Sequence, residues 1–154
     1  MATTLTASTL KITVKEEITL NGKKHEYKQE QLVSDVNMIS QRIVRVPTSL
    51  KTVLSFGSAI AAGTYVAADV KYIRITNLDN ENYLTIGLLD STNTESAYLK
   101  LEKGETIILH NTKLETNING AVWSTAFEDI ETINAQANTA AVDLEVFVAS
   151  SQSS

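Results

Sequence analysis

Apolar and polar side chains alternate with a period of two along most of this sequence. The alternation begins at Leu10 and continues to the Asn21-Gly22 dipeptide. Asn-Gly favours a type I′ turn because both of its positions tolerate a positive φ. We therefore predict a strand and hairpin over residues 9–28.

A different spacing follows in residues 31–41, where apolar residues recur every three or four positions. These residues are Leu32, Val36, Ile39 and Ile43. Such spacing is typical of one helix face, so the pattern predicts a short helix there. An extended segment follows and ends near Pro47, since proline closes a strand or marks an edge.

The strongest alternation lies between residue 70 and the end of the chain. It predicts one antiparallel hairpin around the turn at residues 77–82 and a second around the turn at residues 103–105. It also predicts a core strand at residues 141–149. The apolar phase of these segments predicts a core of Ile73, Ile75, Leu84, Ile86, Leu88, Leu99, Leu101, Ile107, Leu109, Leu144, Val146 and Val148.

Together these elements select a fold class. About eight or nine short strands with turns at intervals of about ten residues predict an all-β protein, an antiparallel two-sheet sandwich or jelly roll. A chain of 154 residues, 43% hydrophobic, is long enough for one domain with its own core. We expect residues 1–154 to form a single domain, with residues 1–9 as an arm and residues 150–154 as a polar tail.

Charge divides the sequence into two unlike halves. Residues 1–77 carry ten basic and six acidic side chains, whereas residues 78–154 carry three and twelve. This asymmetry indicates either two faces with different partners or oppositely charged strands that interleave in one sheet. The net charge of −5 argues against nucleic acid or an anionic membrane as a partner. No apolar run could span a bilayer or serve as an export signal.

The inventory of reactive side chains predicts neither an enzyme nor a metal or cofactor site. Cysteine is absent, and His25 and His110 lie in no HxxxH or HxH pair. Residues 77–82 supply several oxygen ligands but lack the EF-hand spacing, so Asx turns explain them better than calcium does. We expect no catalytic residues, no cofactor and no bound metal.

Two sets of residues are candidates for contact with a partner protein. One is basic and lies in the first part of the chain: Lys23, Lys24, Lys28, Arg42 and Arg45. The other consists of tyrosines out of phase with the predicted core: Tyr72, Tyr83 and Tyr98. Outward tyrosines on one face suit a protein interface or a sugar platform, and the lysines suit an acidic surface.

Four segments carry a resemblance to known proteins: RIVRVPTSLKTVLSF, VKYIRITNLDNENYLTIGL, YLKLEKGETIIL and NTAAVDLEVFVAS. In these the sequence resembles small virion proteins of tailed phages of marine and freshwater bacteria. The resemblance implies a β-sandwich structural component of a phage particle, located at the head surface. It assigns no active-site residues.

The function that follows is that of a nonenzymatic capsid decoration, or cement, protein that stabilises the phage head. Its expected partners are the major capsid protein or other virion proteins, and the resemblance implies a homo-oligomer, with a homotrimer as the expected state. A tail or head-to-tail connector subunit is one alternative. A carbohydrate-binding module of a head fibre is another.

Overall fold

The computed structural model describes residues 6–57, 63–90, 96–110, 115–117 and 127–151. The described residues form thirteen β-strands and one short 3₁₀ turn at Ala67–Asp69. The strands are β1 (Ser8–Leu20), β2 (Lys23–Val36), β3 (Met38–Val46), β4 (Lys51–Phe56), β5 (Thr64–Tyr65), β6 (Val70–Asn77), β7 (Leu84–Leu89), β8 (Ser96–Leu101), β9 (Thr106–Leu109), β10 (Glu115–Asn117), β11 (Phe127–Asp129), β12 (Thr132–Ala137) and β13 (Val142–Ser150). No helix in these ranges is long and apolar enough to cross a membrane.

Nine of the strands form a two-sheet sandwich, which confirms the predicted fold class. One sheet has the order β5-β4-β12-β7-β8 and the other has the order β3-β13-β6-β9. Neighbouring strands are antiparallel except for the short β4–β5 pair. Without β5, the eight remaining strands follow the order of a jelly roll. The strands β1 and β2, and β10 and β11, form two separate two-stranded ribbons.

The two predicted hairpins at residues 77–82 and 103–105 are wrong. The strands β6 and β7 lie in opposite sheets, and so do β8 and β9. Each turn crosses from one sheet to the other instead of joining hydrogen-bonded neighbours. Alternation specifies which side chains face the core, and strands on either side of a sandwich satisfy it as well as a hairpin does.

Nine of the twelve predicted core residues are buried, and Ile107 and Leu109 are partly buried against them. Leu99 is the exception, because 41% of it is exposed. It shares its phase with Leu101 but lies on β8, an edge strand, where no neighbour covers its outer side. Side chains of β3, β4 and β12, among them Val46, Leu54 and Ile133, complete the core.

The strands β1 and β2 form one long hairpin around Asn21-Gly22, which confirms the first predicted hairpin. Asn21 and Gly22 have φ of 50° and 76°, as a type I′ turn requires. The cross-strand register runs from Leu20↔Lys23 back to Ser8↔Val36. We call residues 8–36 the ribbon.

The predicted helix at residues 31–41 is wrong, because residues 31–36 belong to β2 and residues 38–41 belong to β3. The ribbon register shifts between Ser8 and Leu10, and opposite the shift Asp35 adopts a φ of 59°. The extra residue in β2 turns Val33 and Val36, three positions apart, to the same side of the ribbon. The helical spacing of Leu32, Val36, Ile39 and Ile43 combined residues of two strands, of which Val36 is buried and the other three are exposed.

The ends of the chain depart slightly from the predicted arm and tail. The strand β1 begins at Ser8, so residues 8 and 9 belong to the ribbon. Ser150 ends β13 and is buried, and the N–H of Ser151 donates to the carbonyl of Asp69 at 2.8 Å. Residues 1–5 and 152–154 lie outside the described residues.

Candidate partner-binding surfaces

The ribbon has one apolar and one charged face, because side chains alternate along both of its strands. Its register places Val14, Ile18 and Leu20 of β1 on the same side as Tyr27 of β2. We call these four residues the apolar ribbon face; Glu16, Lys23 and His25 lie between them on the same side. The opposite side carries lysines and glutamates and is the charged ribbon face.

Ion pairs join the lysines of the charged ribbon face to its glutamates. They are Lys11–Glu30, Lys15–Glu17, Lys15–Glu26, Lys24–Glu17, Lys24–Glu26 and Lys28–Glu30, with N–O distances between 2.9 and 3.5 Å. The neighbouring ammonium groups lower the pKa of Glu17 and of Glu30. All these side chains are exposed, so each pair contributes little to stability.

The ribbon as a whole carries no net charge. Residues 8–36 contain five lysines, four glutamates and one aspartate, so five positive charges match five negative ones. The ribbon lysines belong to the basic half of the sequence, but acidic side chains of the same ribbon balance their charge. Oppositely charged side chains are also neighbours in the four-stranded sheet. The carboxylate of Asp143 on β13 lies 3.1 Å from the guanidinium of Arg45, and the carboxylate of Glu145 lies 2.6 Å from the guanidinium of Arg74.

The base of the ribbon packs on the outer side of the four-stranded sheet. Val33 and Val36 of the ribbon are buried together with Tyr72 and Ala149 of the sheet, and Leu10, Ile12 and Phe147 pack against this cluster. The rings of Tyr72 and Phe147 meet edge to face at 6.0 Å. Desolvation in this cluster raises the pKa of Tyr72.

Farther along the ribbon the same apolar side has no cover. Val14 is 46% exposed, Ile18 and Leu20 are each 59% exposed, and Tyr27 is 53% exposed. The segment from Lys15 to Leu20 extends the ribbon by about 20 Å. The side that anchors the ribbon at its base thus carries exposed apolar residues where it projects, interspersed with Glu16, Lys23 and His25.

The sheet beneath the ribbon also keeps exposed apolar side chains on its outer side. Ile39 and Ile43 of β3 are 66% and 65% exposed, and Ile108 of β9 is 48% exposed. We call these three residues the outer sheet face; they lie on the two edge strands of the sheet, with β13 and β6 between them. A groove of about 400 Å³ between ribbon and sheet is lined by Val14 and Ile108 among others.

The basic residues predicted to contact a partner occupy different surroundings. Lys24 and Lys28 belong to the ion pairs above, and the register places Lys23 on the apolar side, opposite Leu20. Arg42 is half-buried, and its guanidinium donates to the carbonyl of Val53, which ties β3 to β4. Arg45 is exposed and paired with Asp143. The structure does not bring these five residues together.

The three tyrosines predicted to share an outer face do not share one. Tyr72 lies beneath the ribbon and is buried, which the sequence could not indicate because its cover comes from a separate element. Tyr83 and Tyr98 belong to the other side of the sandwich. The ammonium of Lys100 lies 4.2 Å from the centre of the Tyr83 ring, whereas Tyr98 is 65% exposed.

The loop at residues 77–82 is a hydrogen-bonded turn, as the Asx interpretation predicted. Asp79 Oδ1 accepts hydrogen bonds from the backbone N–H groups of Glu81 at 2.7 Å and Asn82 at 2.6 Å, which lower the pKa of Asp79. The Asp79 carboxylate therefore stabilises the turn by accepting backbone hydrogen bonds. Within the described ranges no group of three or more histidine, aspartate or glutamate residues could hold a metal ion.

Comparison with known proteins adds little to this geometry. No protein-family model matches the sequence, and no curated protein is similar to it. A chain in the crystal structure of Drosophila melanogaster CENP-C bound to CAL1 is 11% identical, with a TM-score of 0.32 over 88% of this chain and 80% of that chain. A likeness at this TM-score carries no argument.

The candidate site is therefore the ribbon together with the outer sheet face. Sequence alternation indicated the apolar and charged sides of β1. It missed Ile39 and Ile43, which the helix prediction had assigned to an amphipathic helix face. Alternation within β3 would have placed both isoleucines on the side opposite Val44 and Val46.

Proposed function

We propose that this chain is a nonenzymatic structural subunit of a tailed-phage virion, specifically a decoration protein of the head, and that its ribbon is an assembly arm. The observation that carries the proposal is the uncovered apolar ribbon face, which belongs to an element anchored firmly at its base. A projecting two-stranded ribbon is marginally stable alone, and contact with a neighbouring subunit would stabilise it. That the assembly is a tailed-phage virion is inferred from the resemblance of the sequence to phage virion proteins.

A decoration protein acts by mass action. If it binds only the expanded shell, it stabilises that state by its differential affinity, and many weak contacts add up across a lattice. Nothing in this mechanism needs a reactive side chain. The rigid jelly roll would present the arm, and the arm would connect neighbouring subunits.

Binding to purified shells tests the proposal directly. We expect the protein to cosediment with expanded heads and not with unexpanded ones. A variant whose ribbon is shortened by replacing residues 14–29 with an Asn-Gly turn, which leaves the cross-strand partners Thr13 and Glu30 on either side of the turn, should fold but show lower occupancy. Equal failure of both proteins to bind would contradict the proposal.

Imaging of particles separates the decoration function from the connector alternative. Particles that lack this protein should lose surface density on intact heads if it decorates the head. Loss of tails from intact heads would instead support a tail or head-to-tail connector subunit. Both outcomes are read from particles with and without the full-length protein.

Charge reversal tests whether the ribbon lysines contact an acidic shell. Changing Lys23, Lys24 and Lys28 to glutamate should weaken binding to shells and remove its dependence on salt, if these residues touch the shell. Ser8→Glu, at the base of the ribbon, is a matched control for added negative charge. Unchanged occupancy of the triple variant on shells would indicate that another surface of the protein contacts the shell.

One observation favours carbohydrate binding as a second candidate function. The Tyr98 ring lies over Gly87, where a Cβ would come within 3.2 Å of it, and beside exposed Leu50. A cavity of about 70 Å³ next to it is also lined by Asn134, whose buried Oδ1 has no hydrogen-bond partner among the described residues. A sugar could stack on the ring and donate a hydroxyl hydrogen to this oxygen.

A glycan array distinguishes this candidate from the first. Binding should be lost in Tyr98→Ala and retained in Tyr27→Ala, a control tyrosine of similar exposure on the ribbon. The absence of any glycan signal from the wild-type protein would exclude the carbohydrate function and leave the decoration proposal unaffected.

A further inference from the structure

The five-stranded sheet of the sandwich ends in a free edge at β8. Among the described strands, β8 pairs only with β7, along an unbroken antiparallel register. An edge strand turns every second pair of N–H and C=O groups outward, where a further strand can bond to them. Native proteins protect such edges, so an unprotected edge indicates a place where another polypeptide binds.

The other edges of the described strands are short or obstructed. The strand β5 has two residues, β9 has four, and β10 and β11 have three each. On β3, the guanidinium of Arg42 points between the sheets and donates to the carbonyl of Val53 on the opposite sheet. The Lys51 ammonium caps the carbonyl of Arg45 at 2.9 Å. Lysines and glutamates stand along both ribbon strands, and all these features oppose the addition of a strand.

The strand β8 has none of these protective features. It has six residues without proline, and its register contains no bulge. Its one charged side chain is Lys100, whose ammonium lies 4.2 Å from the centre of the Tyr83 ring and is paired with Glu102. Because Tyr83 directly precedes β7, this lysine is directed towards β7 and away from the free edge.

The inward side of β8 is apolar and only partly covered. Leu101 is 1% exposed, whereas Leu99 in the same phase is 41% exposed. On β9, the edge strand of the opposite sheet, Ile107 and Leu109 are also only partly buried against the core. The turn at residues 103–105 joins β8 to β9, so both edge strands line the same side of the sandwich. A strand added beside β8 would place alternate side chains next to Leu99 and cover this side.

We propose that the free edge of β8 binds an extended segment of another polypeptide, which adds to the five-stranded sheet as a sixth strand. The outward backbone groups of β8 select a strand, because a helix satisfies its backbone hydrogen bonds internally. The partly covered Leu99 selects an apolar residue at every second position of that segment. Glu102 already balances the charge of Lys100, so the segment needs no charge of its own. This inference goes beyond the proposed function and does not rest on it.

The first test selects partner sequences from a library of random peptides of about ten residues displayed on yeast, long enough to span one strand. The library is sorted for binding to the full-length protein and against binding to its Leu99→Lys variant. A lysine at this partly exposed position can reach solvent, but it places a charge where the added strand would pack. The selected peptides should alternate apolar and polar residues, with β-branched or aromatic side chains in the apolar phase. Absence of such peptides would contradict the inference.

The second test asks whether a selected peptide pairs through its backbone, and it leaves the protein unchanged. Two synthetic forms carry N-methyl groups on alternate residues in opposite phases, so each form lacks the N–H donors of one edge. Because only one edge faces β8, fluorescence anisotropy should show binding of one form weakened by roughly tenfold or more, as expected for several lost hydrogen bonds. The other form should bind like the unmodified peptide. The control variant Thr106→Lys, on β9, should bind the peptide like the wild type.

Hydrogen exchange measured by NMR locates the contact. In the free protein, alternate N–H groups of residues 96–101 should exchange fast, and the peptide should slow them while residues 106–109 stay unchanged. Slow exchange of all these groups in the free protein would mean that the edge is already paired within the chain, which would overturn the inference. A dimer of the free protein that Leu99→Lys abolishes would assign the edge to a second copy and overturn it too, as would equal binding of the two methylated forms. None of these results would affect the decoration proposal.

Discussion

The sandwich and the ribbon are built from the same alternation of apolar and polar residues but differ in what covers the apolar side. In the sandwich, strands from two sheets face each other, and residues such as Ile75 and Leu144 are completely buried. In the ribbon, the alternation of β1 leaves Ile18 and Leu20 59% exposed. Alternation therefore defines a face and does not provide its cover.

This difference separates the part of the molecule that stabilises the fold from the part free to bind. The sandwich is held by long-range pairs, with β13 between β3 and β6, and β12 between β4 and β7. The ribbon pairs mainly with itself and touches the sheet only at its base. We expect the two regions to respond to substitution very differently.

Truncation in the core should have the largest effect. Leu144→Ala or Ile86→Ala should each lower the free energy of unfolding by about 2–5 kcal/mol, through lost burial and a residual cavity. Ile18→Ala, studied as a monomer, should change it by less than about 0.5 kcal/mol. Urea denaturation measures all three, and core changes below about 1 kcal/mol would contradict the assigned strand phase.

Truncation at the ribbon base should have an intermediate effect that is concentrated in the ribbon. Val33→Ala removes buried surface against Tyr72 and Ala149 and should cost about 1–2 kcal/mol. Hydrogen exchange should show lost protection in residues 8–36 while β13 stays protected. The control is Leu32→Ala, because its side chain is 68% exposed; equal loss in both variants would mean that the base does not anchor the ribbon.

Strain at the ribbon turn should have a smaller and more local effect. Gly22 has a φ of 76°, and a Cβ there would meet no atom within 4 Å, so Gly22→Ala tests conformation alone. We expect a cost of about 1 kcal/mol, seen as faster hydrogen exchange near residues 18–25. The control is Gly57→Ala, where a Cβ would make only an ordinary contact with Thr64. No change at the ribbon tip would be inconsistent with a type I′ turn.

Acid should have the smallest effect and should act on the charged ribbon face. The lysines lower the pKa of Glu17 and Glu30, so the stabilisation from their ion pairs is present above the ordinary glutamate pKa and is lost as the pH falls through the lowered values. Exchange rates in the ribbon, corrected for intrinsic pH dependence, should rise below about pH 4. A Glu17→Gln, Glu30→Gln variant should show a weaker pH dependence. An equal response in that variant would mean that other carboxyl groups cause it.

The sequence by itself determined the class of the fold, the face of most strands and the first turn. Alternation with a period of two marks the buried side of a strand wherever a second layer covers it, which explains why Ile73, Ile86 and Val146 were predicted correctly. Asn21-Gly22 was equally readable, because positive φ at two successive positions is a local requirement.

Only the tertiary structure decided which strands are neighbours and which apolar faces are covered. The crossing turns at residues 77–82 and 103–105 satisfy the same alternation as hairpins, so pairing depended on contacts distant in sequence. Tyr72 is buried and Ile43 is exposed on the same side of one sheet because the ribbon lies over the first and not over the second. Burial depends on where a separate element packs, and no local pattern of side chains contains that information.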